Sequence, residues 1–207
     1  IFKTPLTGSY NWDYTVADNR IKKLYELGKE LNWNGILIEP AKIWHEELII
    51  NRNCLIDKRC IYKKSGEKME FLTVNSNKNG PTIYNGKDPE PGLSSLKIYA
   101  DNGDWASKVR IENSKKDIVE TVTLNDLLDF YNAPQEINYL SIDSEGSELD
   151  ILKNFDFSKR RIKIISVEHN YHRSNRRKIY ELLINEGFKR VYKELSKFDD
   201  WYILRDY

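Results

Sequence analysis

Apolar positions recur along this chain in two rhythms, short unbroken runs and runs spaced three or four residues apart. "GILI" at 35–38, "YLSI" at 139–142 and "IKIISV" at 162–167 have the length and texture of buried strands. Between them the spacing turns helical. Ile21, Leu24, Leu27 and Leu31 follow the capping residue Asp18, Trp44 and Leu48 stand one turn apart within 42–52, and Leu124, Leu127 and Leu128 follow Thr123. In "SNRRKIYELLINEGF" the pattern predicts a start at Ser174, a buried side at Ile179, Leu182 and Leu183, and a stop at Gly187. "RCIYKK" and "MEFLTV" predict two strands joined by a turn at Ser65-Gly66, and "FKRVY" and "WYILRDY" predict two closing strands. Strands alternating with helices imply an α/β domain with a largely parallel sheet.

The texture changes at Asn75. "NSNKNGPTIYNGKDPEPGLSS" is dominated by Asn, Gly, Pro and Ser, which predicts a long loop insertion at about 75–104 within one domain spanning 1–207. Regular structure is expected to resume at "VETVTLNDLLDFY", 119–131.

Composition narrows the function classes. A chain of 207 residues can bury a full core without staples. Charged residues make up 31%, yet the net charge is +1, so no global field favours nucleic acid or an acidic membrane. The basic clusters at 158–163 and 174–178 read as solvated faces. No apolar run is long enough to span a membrane, and no signal-peptide layout opens the sequence. Cys54 and Cys60 fit no zinc-ligand pattern, so free thiols in a reducing, cytoplasmic setting are expected.

The chemistry gathers at strand ends. In open α/β sheets ligands bind outside the carboxyl ends of the strands, and three expected strands finish on Glu39, Asp143 and Glu168. Glu39 fits two roles, an acceptor for both hydroxyls of a ribose or a carboxylate near the start of the helix beginning around Lys42. In "DSEGSE" Gly146 permits a sharp turn, and Ser147 with Asp150 is a near relative of the capping box. That accounts for Glu148 and Asp150 but leaves Asp143 and Glu145 crowding each other. Like charges at one site raise a pKa or recruit a cation. His169, following Glu168 at a strand end, is a candidate general base.

Taken in order, "WNGILIEP" (33–40), "NR" (51–52), "VTLNDLL" (122–128), "INYLSIDSEGSELDILKNFDF" (137–157) and "ISVEHN" (165–170) resemble the FkbM family of S-adenosylmethionine-dependent methyltransferases. The resemblance covers roughly 30–205, and its most specific part is the Asp-x-Glu-Gly-x-Glu segment running into Ile-Leu. It implies a Rossmann-like class I methyltransferase fold, a mostly parallel seven-stranded sheet with an antiparallel last strand and helices on both faces. It further implies an O-methyltransferase acting on a hydroxyl of a sugar, glycan or related small metabolite. Glu39 would hold the ribose of the donor, and Asp143, Glu145 and 168–170 would line the reaction side. Asp143 or His169 would serve as base, with Glu145 orienting the acceptor or sharing a Mg²⁺ ion with Asp143 and Glu168. Tyr84, Tyr99 and Trp105 would stack on the acceptor.

The chain departs from the family in its first turn. Where an acidic residue and a glycine-rich turn are expected, "TGSYN" offers one glycine, so Gly8 and Asn11 would form a diverged cofactor turn. A methyltransferase-like binding module without catalysis is the alternative this departure raises. A metal-dependent nucleotide-sugar glycosyltransferase is a further one, and it leaves the "IEP" strand unexplained.

Overall fold

The computed structural model describes residues 34–74, 91–104 and 106–206. Gly8, Asn11, the helix expected after Asp18, Tyr84 and Trp105 lie outside the described residues.

Strand β1 (Ile36–Ile38) is buried at every position and pairs in parallel with β2 (Leu55–Asp57). Pro40, which has no N–H for a ladder, follows its end. A 3₁₀ turn at Lys42–Trp44 then leads into helix α1 (His45–Asn51), together filling the helix expected over 42–52.

A separate sheet follows, built from β3 (Cys60–Ile61), β4 (Lys68–Val74), β5 (Ser95–Leu96) and β6 (Ser114–Val122) in the order β3-β6-β4-β5. Both strands expected around Ser65-Gly66 form, but they do not pair with each other. β6 lies between them, parallel to β3 and antiparallel to β4. The turn is stitched to β6 instead: Gly66 N–H donates to Thr121 O at 2.8 Å, and the Thr121 hydroxyl donates to Lys64 O at 2.7 Å. Regular structure also resumes before 119. Residues 91–104 hold 3₁₀ turns at Pro91–Leu93 and Lys97–Tyr99 around β5, and helix α2 (Ser107–Glu112) precedes β6. The polar opening of β6, "SKKD", escapes an apolar-run reading because it lies on a mostly exposed part of the sheet.

Thr123 caps α3 (Leu124–Phe130) as expected, its hydroxyl oxygen accepting the Asp126 N–H at 3.1 Å. The remaining elements are β7 (Glu136–Ile142), α4 (Glu148–Lys153), β8 (Arg161–Glu168), α5 (Arg173–Asn185), β9 (Phe188–Val191) and β10 (Asp199–Leu204). Their strands form a sheet of order β7-β8-β10-β9, with β7 and β8 parallel and β10 antiparallel to both neighbours. The antiparallel last strand is therefore present. The single seven-stranded sheet is not: the described strands divide into sheets of two, four and four, because much of residues 60–122 pairs within itself.

One core nevertheless joins the first and last sheets. Ile36 and Ile38 of β1 pack with Leu140 and Ile142 of β7 and Ile165 and Val167 of β8, under Leu127, Leu152 and Leu183 from three helices. Helix α5 is capped by His172 rather than Ser174, since the His172 Nδ1 accepts the Asn175 N–H at 3.4 Å. It stops as expected at Gly187, whose φ of +88° suits the residue just past a helix end. Among the described residues, no helix is long and apolar enough to cross a membrane. Both cysteines are free thiols.

Candidate active site

The carboxyl ends of β1 and β7 face a common cleft. Ile38, Pro40, Ser141, Ile142, Asp143 and Ser144 line it, and Phe71, Leu124 and Ile151 contribute to the same lining. The Glu39 carboxylate, buried at the end of β1, accepts the Ala41 N–H at 2.8 Å, and the Glu39 carbonyl accepts from His45 Nε2 at 2.8 Å. The carboxylate thus braces the turn that follows β1, and Glu39 stands in the chain between Ile38 and Pro40, which line the cleft.

On the far side, the β7–α4 turn is organised by Glu148. Its carboxylate accepts from Ser144 N and Ser144 Oγ, both at 2.8 Å, and from Gly146 N at 3.1 Å. The capping arrangement expected of Ser147 and Asp150 is absent. The Ser147 hydroxyl donates to Ser144 Oγ at 2.7 Å, and Asp150 accepts from the Tyr99 hydroxyl at 2.6 Å. Burial, with Asp150 as acceptor, pushes the Tyr99 pKa upward and keeps it a neutral donor. Gly146 has φ +119° and passes close to Tyr99: an added Cβ would lie 3.0 Å from the Tyr99 Cβ. Glycine is therefore required here for both conformation and space.

Asp143, Glu145 and Glu168 come together at the ends of β7 and β8. Each offers a carboxylate oxygen, and these oxygens lie within 4.8 Å of one another, a donor set suited to a hard divalent cation. Glu145 holds φ +56°, a conformation costly for a residue with a side chain. Arg110 Nη2 donates to Glu145 Oε2 at 2.6 Å, and Asn170 Nδ2 approaches the same oxygen at 3.4 Å.

His169 is placed differently from the three carboxylates. Its side chain is only 1% exposed, and its Nδ1 accepts the Tyr171 N–H at 3.0 Å. With Nδ1 accepting, the proton sits on Nε2, which faces Ser196 Oγ at 3.5 Å and Asp200 Oδ1 at 3.9 Å. Burial, reinforced by Arg176, lowers its pKa. Asp200 is in turn gripped by Arg176, at 2.8 and 2.7 Å, and by Arg190 at 3.2 Å. Burial would raise the Asp200 pKa, but the hydrogen bonds and charges of Arg176, Ser196 and Arg190 outweigh it and hold the carboxyl below its usual range.

Three residues absent from the strand-end pattern contribute to this rim. Asp199 opens β10 opposite Glu168, and its carboxyl is pushed up to about 6 by burial and by the charges of Asp143, Asp200 and Glu148. Arg110 and Asp104 form a buried pair beside Glu145, with contacts at 2.8 Å from Nη1 and from Nη2. The one sequence signal for Arg110 is its position inside the apolar context of Ala106 and Val109, both buried.

An acidic rim thus stands at the carboxyl ends of the parallel strands β7 and β8, and Glu39 is buried at the end of β1. The sequence model of the FkbM methyltransferase domain matches residues 13–202. The chain belongs to the FkbM methyltransferase family. Its activity class is therefore methyl transfer. No match was found among curated proteins or among solved structures.

Proposed function

We propose that this FkbM-family chain is an S-adenosylmethionine-dependent O-methyltransferase acting on a hydroxyl of a sugar, glycan or related small metabolite. The observation that carries this reading is the meeting of Asp143, Glu145 and Glu168 beside a cleft lined by Asp143 and by Ile38 and Pro40, the two neighbours of Glu39 in the chain. When bound, S-adenosylmethionine supplies a methyl group already activated for displacement, so the protein's work is to position the partners and manage one proton. Glu39 suits the donor's ribose, as a buried carboxylate at a strand end. Gly8 and Asn11 are proposed for the methionine end.

The proton leaves the acceptor hydroxyl, and Asp143 is the group placed to take it. It is half-buried and lines the cleft. His169 is less suited, because both of its nitrogens are directed at the 169–171 turn and at β10. Its role in this scheme is to hold the turn that presents Glu168 and Asn170.

Asp143→Asn tests the assignment, with turnover read as formation of the demethylated donor across a panel of sugars and hydroxylated metabolites. General-base removal costs roughly 10²–10⁴-fold, and donor binding should survive. Full turnover in the variant would remove Asp143 from the mechanism. The single glycine of "TGSYN" favours a second reading, a binding module that has lost the donor. Absence of donor binding by the folded chain would select it.

A further inference from the structure

We propose that Arg110 is a resident cation of the acidic rim, a positioning residue that takes the place a divalent metal would otherwise hold and, together with Tyr99, ties its part of the chain to the active-site turn. The inference rests on reading this rim as the acceptor side of the site, but its test requires no turnover.

Arg110 is fully buried. Its guanidinium uses Nε on the Leu93 carbonyl at 2.9 Å and both terminal nitrogens on Asp104 at 2.8 Å, and Nη2 reaches across to Glu145 Oε2 at 2.6 Å. A buried arginine needs one carboxylate to offset its charge, and Asp104 alone supplies a planar, two-point partner. The further bond to Glu145 takes the second Nη2 hydrogen, which full burial would otherwise leave without an acceptor. The same bond sets a fixed positive charge against the rim, where Asp143, Glu145 and Glu168 bring like charges within 4.8 Å. A metal ion bound through Glu145 Oε2 would sit beside the guanidinium, and two cations sharing one oxygen repel.

Two other contacts fasten the same segment to the same turn. The Tyr99 hydroxyl donates to Asp150, and Gly146 leaves the gap that the Tyr99 side chain fills. Arg110, Tyr99 and Leu93 thus lie on one piece of chain clamped against residues 145–150. Glu145 also meets Asn170 beyond β8, so the salt bridge joins three segments of the rim at a residue held in an unfavourable backbone conformation.

The probe is Mn²⁺ alone, titrated into the folded chain and followed by electron paramagnetic resonance, with circular dichroism confirming the fold. Wild type should bind no Mn²⁺ at the rim, and Arg110→Lys, which keeps the charge, should behave the same way. Arg110→Met should gain a site, and so should Asp104→Asn/Arg110→Met, which removes the buried pair together and protects the fold. Adding Glu168→Gln to that double variant should abolish the gained site. Wild-type Mn²⁺ binding that Glu168→Gln removes would overturn the proposal, as would a folded double variant that gains no site. Loss of S-adenosylmethionine binding would count against the methyl-transfer reading alone, since the Mn²⁺ result does not depend on it.

Discussion

Burial lifts the Asp199 carboxyl from an ordinary 3.8 to about 6, with the charges of Asp143, Asp200 and Glu148 adding to the effect. A carboxyl whose folded pKa is raised contributes stability that is fully present below the unfolded value and lost as pH rises through the folded one. Asp199→Asn is therefore expected to stabilise the protein at pH 7.5, by on the order of 1–3 kcal/mol. The advantage should shrink below pH 6 and vanish below about pH 4; urea denaturation across that range measures it. An unchanged difference at every pH would contradict the assignment. Asp143, Glu145 and Glu168 could be read from the sequence because each is a carboxylate at or just past the end of an apolar run. Asp199 could not, since it begins its strand and owes its place to antiparallel pairing with Glu168. Arg110 was hidden for a related reason: its partner Glu145 is distant in sequence, and no local rhythm encodes such a contact.

At the scale of elements, the β7–α4 turn depends on Glu148 more than on any hydroxyl cap. Glu148→Ala leaves Ser144 N, Ser144 Oγ and Gly146 N without their acceptor, all in a part-buried turn. The expected cost is about 2–4 kcal/mol, against a much smaller loss for Ser147→Ala, whose hydroxyl makes no cap bond. Chemical denaturation of the two variants separates them, and an equal cost would return the capping role to Ser147. Elements set by local signals were legible: Thr123 caps its helix, Gly187 ends one, and β1, β7 and β8 fall on the apolar runs. Elements set by distant pairing were not. Ser65-Gly66 has the chemistry of a hairpin turn, yet β6 inserts between the two strands it joins, and only the 62–67 contacts with Thr121 and Val122 reveal why.

At the scale of the molecule, the first and last sheets share one core, and the ends of β1 and β7, Asp143 among them, line one cleft. The 60–122 sheet and α2 add a second body of structure, which reaches the site through Arg110 and Tyr99. Family membership was legible because the motif-bearing segments lie on the strands and turns that build the rim. The arrangement of the sheets was not, because composition at 75–104 advertised a loop and concealed the turns and strand within 91–104. The proposed reaction depends on a methyl donor held through Glu39 within reach of Asp143. Calorimetric titration with S-adenosylmethionine and its demethylated product tests it most directly. Saturable binding of both is expected, abolished in Glu39→Ala and retained in Asp143→Asn; a folded chain that binds neither would contradict the proposed donor site.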